Sequence, residues 1–160
     1  MRSFLAVLVL ALSPVLALAQ GTALSVGELT HDTSLPVEVT SDSLSVANEN
    51  GQAVFEGNVL VIQGPMRLAA ARITVDYAQN TEGRNEIDQM VASGGVTFVN
   101  GADAAESTDA VYSPEAGTLV MSGSVLLTQG PTVLSGDKLV VDLATGTGVM
   151  EGRVRSTFQQ

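Results

Sequence analysis

The sequence predicts an all-β protein, one antiparallel structure built from repeated out-and-back strand pairs. Three observations lead there. A Gly-x-Val step recurs at Gly57-Asn58-Val59, Gly94-Gly95-Val96, Gly123-Ser124-Val125 and Gly152-Arg153-Val154, at intervals of 37, 29 and 29 residues. Self-similarity at such a period marks a stacked repeat. Around each step apolar residues alternate with polar ones, which is how a strand shows one face to a core. Turn-forming residues return at two fixed phases between these runs, and no segment after the first nineteen residues sustains a 3.6-residue period.

The chain opens with Arg2, an apolar run from Phe4 to Leu12, a break at Ser13-Pro14, and Ala17-Leu18-Ala19. That order of basic, apolar and small residues is a secretory leader over 1–19, and a run broken at Pro14 falls short of the roughly 20 residues that span a bilayer. Residues 20–35 read as a polar, flexible N-terminal segment, and 36–158 as one β domain.

Within that domain a partial copy comes first, with Leu44 and Val46 in phase and a turn at Asn50-Gly51. Phe55, Val59 and Val61 then share a face up to Gln63-Gly64-Pro65, where Gly accepts positive φ, Pro cannot donate to a ladder, and the chain reverses. Leu68 and Ala70 return, continuing into Ile73 and Val75, and a longer hairpin over residues 78–90 follows. The second copy runs through Ala92, Val96 and Phe98, turns at Asn100-Gly101, and returns through Ala105, Ser107, Ala110 and Tyr112 to a turn at Ser113 to Gly117. The third runs through Met121, Val125 and Leu127, turns at Gln129-Gly130-Pro131, and returns through Leu134, Gly136, Leu139 and Val141. Thr145 to Gly148 turns the chain into the last strand, with Met150, Val154 and Ser156. Leu60 and Ile62 fall out of phase and should face outwards.

The in-phase residues sum to an aliphatic interior without Trp. Two readings of it stand. Any sandwich needs a filled core, yet Ala70, Ala105, Ser107, Ala110 and Gly136 are small where dense packing would favour larger groups, which would leave a greasy groove.

Reactive chemistry is scarce. The chain has no Cys and a single His, His31, in the polar segment, which argues against a catalytic triad, a thiolate site or a His-rich metal centre. Asp103, Glu106 and Asp109 lack the Gly-rich repeat of calcium-binding rolls and read as solvent-facing strand residues, while Asp76 and Asp142 read as turn caps. No phosphate loop occurs, since the stretch from Thr145 to Gly148 lacks the Gly-Lys-Ser/Thr, and no metal or cofactor is expected. Without Arg2, 6 basic residues face 17 acidic ones, a net charge of −11 that disfavours nucleic acid.

The stretches "AVFEGNVLVIQGPMRLAAARITVDY", "ASGGVTFVNG", "AVYSPEAGTLVMSGSVLLTQGPTVLSGDKLVVDLATG" and "MEGRVRSTFQ" resemble the LptA/OstA family of periplasmic lipopolysaccharide transport proteins. The resemblance implies a single twisted, partly open antiparallel β-jelly roll whose interior cradles the acyl chains of lipid A. It implies a carrier that bridges inner and outer membranes. The implied partners are lipopolysaccharide, an inner-membrane ABC transporter complex with its periplasmic OstA-like subunit, an outer-membrane lipopolysaccharide assembly protein, and further copies of the chain joined head to tail through edge strands. Val37 and Val39 match interior positions of the family, and Phe98 and Tyr112 match interior aromatics. The groove is therefore expected to be lined by Val37, Val39, Phe55, Val59, Val61, Leu68, Ile73, Val75, Val96, Phe98, Tyr112, Val125, Leu127, Leu139 and Val141, with Arg67 and Arg72 near its mouth. The alternative is a structural β-sheet module that polymerises or scaffolds envelope proteins and holds no lipid.

Overall fold

Long strands that bend in the middle let one sheet serve as both walls of the molecule. The computed structural model describes residues 22–25, 30–47 and 51–158, and the leader lies outside these. The strands are β1 (Thr22–Ser25), β2 (Glu38–Thr40), β3 (Ser43–Ala47), β4 (Gln52–Gln63), β5 (Met66–Gln79), β6 (Asn85–Ser93), β7 (Val96–Asn100), β8 (Asp103–Ser107), β9 (Asp109–Ser113), β10 (Thr118–Gln129), β11 (Thr132–Asp142), β12 (Thr147–Glu151) and β13 (Arg155–Phe158). All pair antiparallel in one 13-stranded sheet.

The pairing divides that sheet into two layers. One half of β4 pairs with β3, and its other half with β2. β5 pairs through residues 66–69 with β7 and through residues 72–79 with β6. β10 meets β9 with one half and β8 with the other, and β11 meets β12 and β13 in the same manner. One layer thus runs β3, β4, β5, β6, β9, β10, β11, β12, β1, and the other runs β2, β4, β5, β7, β8, β10, β11, β13. The two share a crease, and the resulting architecture joins the antiparallel strand pairs expected from the repeat into the jelly roll that the family resemblance implies.

The repeated glycines make the crease. Gly57 and Asn58 have φ of 80° and 48°, Gly123 and Ser124 of 83° and 51°, and Gly152 and Arg153 of 75° and 45°. Two successive left-handed residues form a bulge, and the β4–β5 register shifts between Glu56 and Val59 as the β10–β11 register does between Ser122 and Val125. The carbonyls of Gly57, Gly123 and Gly152 accept hydrogen bonds from the backbone N–H of Asp42, Thr108 and Asp137 at 2.9, 2.9 and 3.0 Å. A Cβ on Gly123 would lie 2.6 Å from Thr108 Oγ1, and one on Gly57 2.5 Å from Asp42 Oδ2, so only glycine lets the strands approach this closely. The repeat put these glycines within strands showing one face, and Gly57 and Gly123 do lie within β4 and β10. They stand at the fold of each strand, and the two-residue bulge keeps both flanks facing inward.

Inward side chains of both layers meet in one apolar cluster that includes Val59, Val61, Leu68, Ile73, Val75, Val96, Phe98, Tyr112, Val125, Leu127, Leu139 and Val141, with Val37, Val39 and Phe55 partly buried against it. Leu60 and Ile62 lie half-buried on the outer face, as their phase requires. Leu44 and Val46 are in the inward phase, yet they are 54 and 62 % exposed because β3 is an edge strand.

Candidate functional site

The apolar interior is the feature on which function can rest. Among the expected lining residues, the twelve from Val59 to Val141 that follow Phe55 are fully buried, and Val37, Val39 and Phe55 stand at the margin. At Gly136 the void that composition suggested is filled. A Cβ on Gly136 would meet Met150 Sδ at 2.8 Å, so the methionine occupies that space. Ala110 stands in register with Met121 and Ala92, and Ala105 with Phe98. Met66, Met90, Met121 and Met150 are all buried in the cluster. Unbranched thioethers adapt to irregular gaps at small energetic difference, so this interior is closed by its most pliable side chains.

The interior opens to solvent at one end of the roll. There Leu44, Val46, Ala53, Phe55 and Tyr77 line a cavity of about 450 Å³. Its walls are continuous with the buried cluster through Ala53 and Phe55.

Opposite the crease the tips of the two layers face each other across a seam, and a polar network occupies it. Gln63, Asn100 and Gln129 each precede a turn glycine at the tip of one layer. Gln63 Nε2 donates to the carbonyls of Thr33 at 2.8 Å and Leu35 at 2.7 Å, which fixes the amide orientation. Its Oε1 then accepts from Tyr112 OH at 2.6 Å, a bond from one layer to the other. His31 Nε2 lies 3.0 Å from the same oxygen, which can only accept, so Nε2 donates the hydrogen bond. Burial pushes the Tyr112 phenol up to about 12.

Two expectations change here. His31 was read in a flexible polar segment. It is buried instead, its N–H donating to the Leu143 carbonyl at 2.8 Å, and β1, in the same segment, pairs with β12. Asp103 was read as solvent-facing; it is buried and accepts from Gln129 Nε2 at 2.9 Å, while Glu106 and Asp109 are exposed as expected. The repeated Gln-Gly and Asn-Gly pairs were the available signal for this layer, but their amides were absorbed into turn chemistry.

Among the described residues the arginines and the lysine stay outside. Of the two arginines expected near the groove mouth, Arg72 pairs with Glu56 beside the crease and Arg67 is exposed on the outer phase of β5. The Arg153 guanidinium hydrogen-bonds Asp137 at 2.8 Å and holds that carboxyl below its usual range. Such exposed pairs contribute little to stability. Among the described residues no three of His, Cys, Asp and Glu are grouped to hold a metal ion.

Residues 38–147 match the family model described as LptA/(LptD N-terminal domain) LPS transport protein. An uncharacterized protein of Rhizobium meliloti is 32 % identical over 87 % of this chain and 79 % of its own length. The lipopolysaccharide export system protein LptA of Escherichia coli K12 is 27 % identical over 69 % of this chain and 62 % of its own. The crystal structure of LptH, the LptA-homologous periplasmic component of the lipopolysaccharide transport device of Pseudomonas aeruginosa, superposes with a TM-score of 0.70. That match covers 81 % of this chain and 99 % of LptH at 19 % identity, a likeness of fold. The family model spans residues 38–147, well over half of the sequence, and the chain belongs to the LptA/(LptD N-terminal domain) LPS transport protein family.

Proposed function

We infer that the protein is a periplasmic carrier of lipopolysaccharide, which houses lipid A acyl chains between its two layers and passes them from the inner towards the outer membrane. The single observation that carries this reading is the continuous methionine-bearing apolar interior, closed along its length and open at the Leu44–Tyr77 end. Transfer of one CH₂ from water contributes about 0.8 kcal/mol, so a twelve-carbon chain offers about 8 to 10 kcal/mol before ordering costs. Several chains together overcome the repulsion between an acidic surface and the lipid phosphates. Carriage asks no nucleophile or metal of the chain, and the energy for one-way movement comes from partners.

Those partners are an inner-membrane ABC transporter complex with its periplasmic OstA-like subunit, and an outer-membrane lipopolysaccharide assembly protein of the kind to which the LptA/LptD family model refers. Among the described residues the layers end in strands paired on one side, β3 and β2 at one end, β1 and β13 at the other. Such edges template strand addition, and they suit head-to-tail joining of copies. No helix among the described residues is long and apolar enough to cross a membrane.

A photo-reactive residue at Phe55 or Tyr77 should cross-link to lipopolysaccharide, and one at the outward-facing Thr97 should not. Equal yields at all three positions would refute interior carriage. The filled interior favours a second reading, a structural module without lipid. Under that reading no position cross-links and an apolar dye is not taken up.

A further inference from the structure

We propose that residues 30–35 form a latched strap across the seam, that Gln63 is its latch, and that acyl chains enter sideways only after it releases. The proposal rests on the carrier reading above and adds the route and its gate. The strap touches both walls. His31 N–H is bonded to Leu143 beyond β11 in one layer. In the other layer Gln63 Nε2 holds the carbonyls of Thr33 and Leu35, and Asn100 Nδ2 donates to the Thr30 carbonyl at 3.3 Å.

One amide does most of the holding. All of the Gln63 bonds are used at once, to the strap through Nε2 and through His31, and to the facing layer through Tyr112. Gly64 shapes the bed for the strap, because a Cβ there would lie 2.6 Å from Leu35 Cδ1.

The latch is also incomplete by one bond. His31 Nδ1 is a buried side-chain atom with no hydrogen-bond partner. A buried polar atom without a partner is a standing penalty, and outward movement of the strap returns it to water. The bonds that seal the strap and the unmet bond that favours its release thus lie in the same six residues, and the Tyr112 bond to Gln63 joins the two layers beside them. Met66 stands in register with both Gln63 and Asn100, the two amides that hold the strap, and is itself closed to solvent.

The test compares the mature protein with Gln63→Met, which keeps length and removes all four bonds, and with His31→Ala, which alters the strap and leaves both layers intact. Hydrogen exchange of the segment 30–35, uptake of N-phenylnaphthylamine, and the association rate of purified lipopolysaccharide are read on protein shown to be folded by its β circular dichroism. Loss of one buried hydrogen bond should speed strap exchange about tenfold in His31→Ala, and loss of four should speed it further in Gln63→Met, with dye and lipopolysaccharide entering faster in the same order. Unchanged strap exchange in both variants overturns the latch. Faster exchange with unchanged dye entry overturns the seam as route and leaves the open end. If dye entry accelerates while lipopolysaccharide binds neither variant nor the parent, the strap stands and the carrier reading fails.

Discussion

Replacing Gly123 by Ala tests whether the repeat glycine is a structural crease, and its cost can be worked out in two parts. The residue sits at φ 83°, where an L side chain costs about 1–2 kcal/mol. The added Cβ would also fall 2.6 Å from Thr108 Oγ1 and 2.7 Å from its Cβ, and forced overpacking costs about 1–3 kcal/mol. Gly130→Ala is the control, because its φ of 53° carries the first cost while nothing lies within 4 Å of its Cβ. Urea unfolding should show Gly123→Ala destabilised by about 2–5 kcal/mol and Gly130→Ala by about 1–2 kcal/mol. At about 4 °C per kcal/mol the thermal midpoints separate by roughly 4–12 °C. Thr108→Gly added to Gly123→Ala should recover most of the difference. Equal losses for the two alanines, or no recovery, would refute the crease as a close-contact device.

Tyr112→Phe removes one bond to Gln63 and should cost about 1 kcal/mol in chemical unfolding. With the phenol raised to about 12, its contribution is fully present below pH 10 and lost as pH climbs through 12, so parent and Phe variant should converge in stability at high pH while spectrophotometric titration loses its highest-pH tyrosine. Met121→Leu should cost less than about 1.5 kcal/mol and Met121→Ala about 2–5 kcal/mol, since a buried side chain of similar volume repacks and a cavity does not; equal values would contradict a closed interior. Arg153→Ala should leave the urea midpoint nearly unchanged and remove its salt dependence, the mark of an exposed pair, and a large loss of stability would contradict that reading.

Much of the interior was legible because a two-residue period needs no long-range information. Val59, Val61, Phe98, Leu127 and Val141 could each be placed by counting from a glycine, and all are buried. The crease was not legible, since Gly57 and Gly123 preserve the parity of their strands while changing their direction. Leu44 and Val46 were in phase but lie on an edge strand, a fact set by pairing order. His31 and Asp103 escaped because polarity argues for solvent until a partner appears, and their partners are 32 and 26 residues away in the chain. The groove argument from small residues failed at Gly136 because Met150, from the next strand, fills it.

The crease behaves like the spine of a book whose pages are bound at every line. β4, β5, β10 and β11 each run through it without interruption, so widening the angle between the covers at one strand drags the neighbouring ones along. Local gaping is therefore disfavoured, and the volume offered to a guest changes along the whole length together. A chain of such bodies joined cover to cover would then transmit opening from one to the next as a change of pitch, with no hinge loop needed between them.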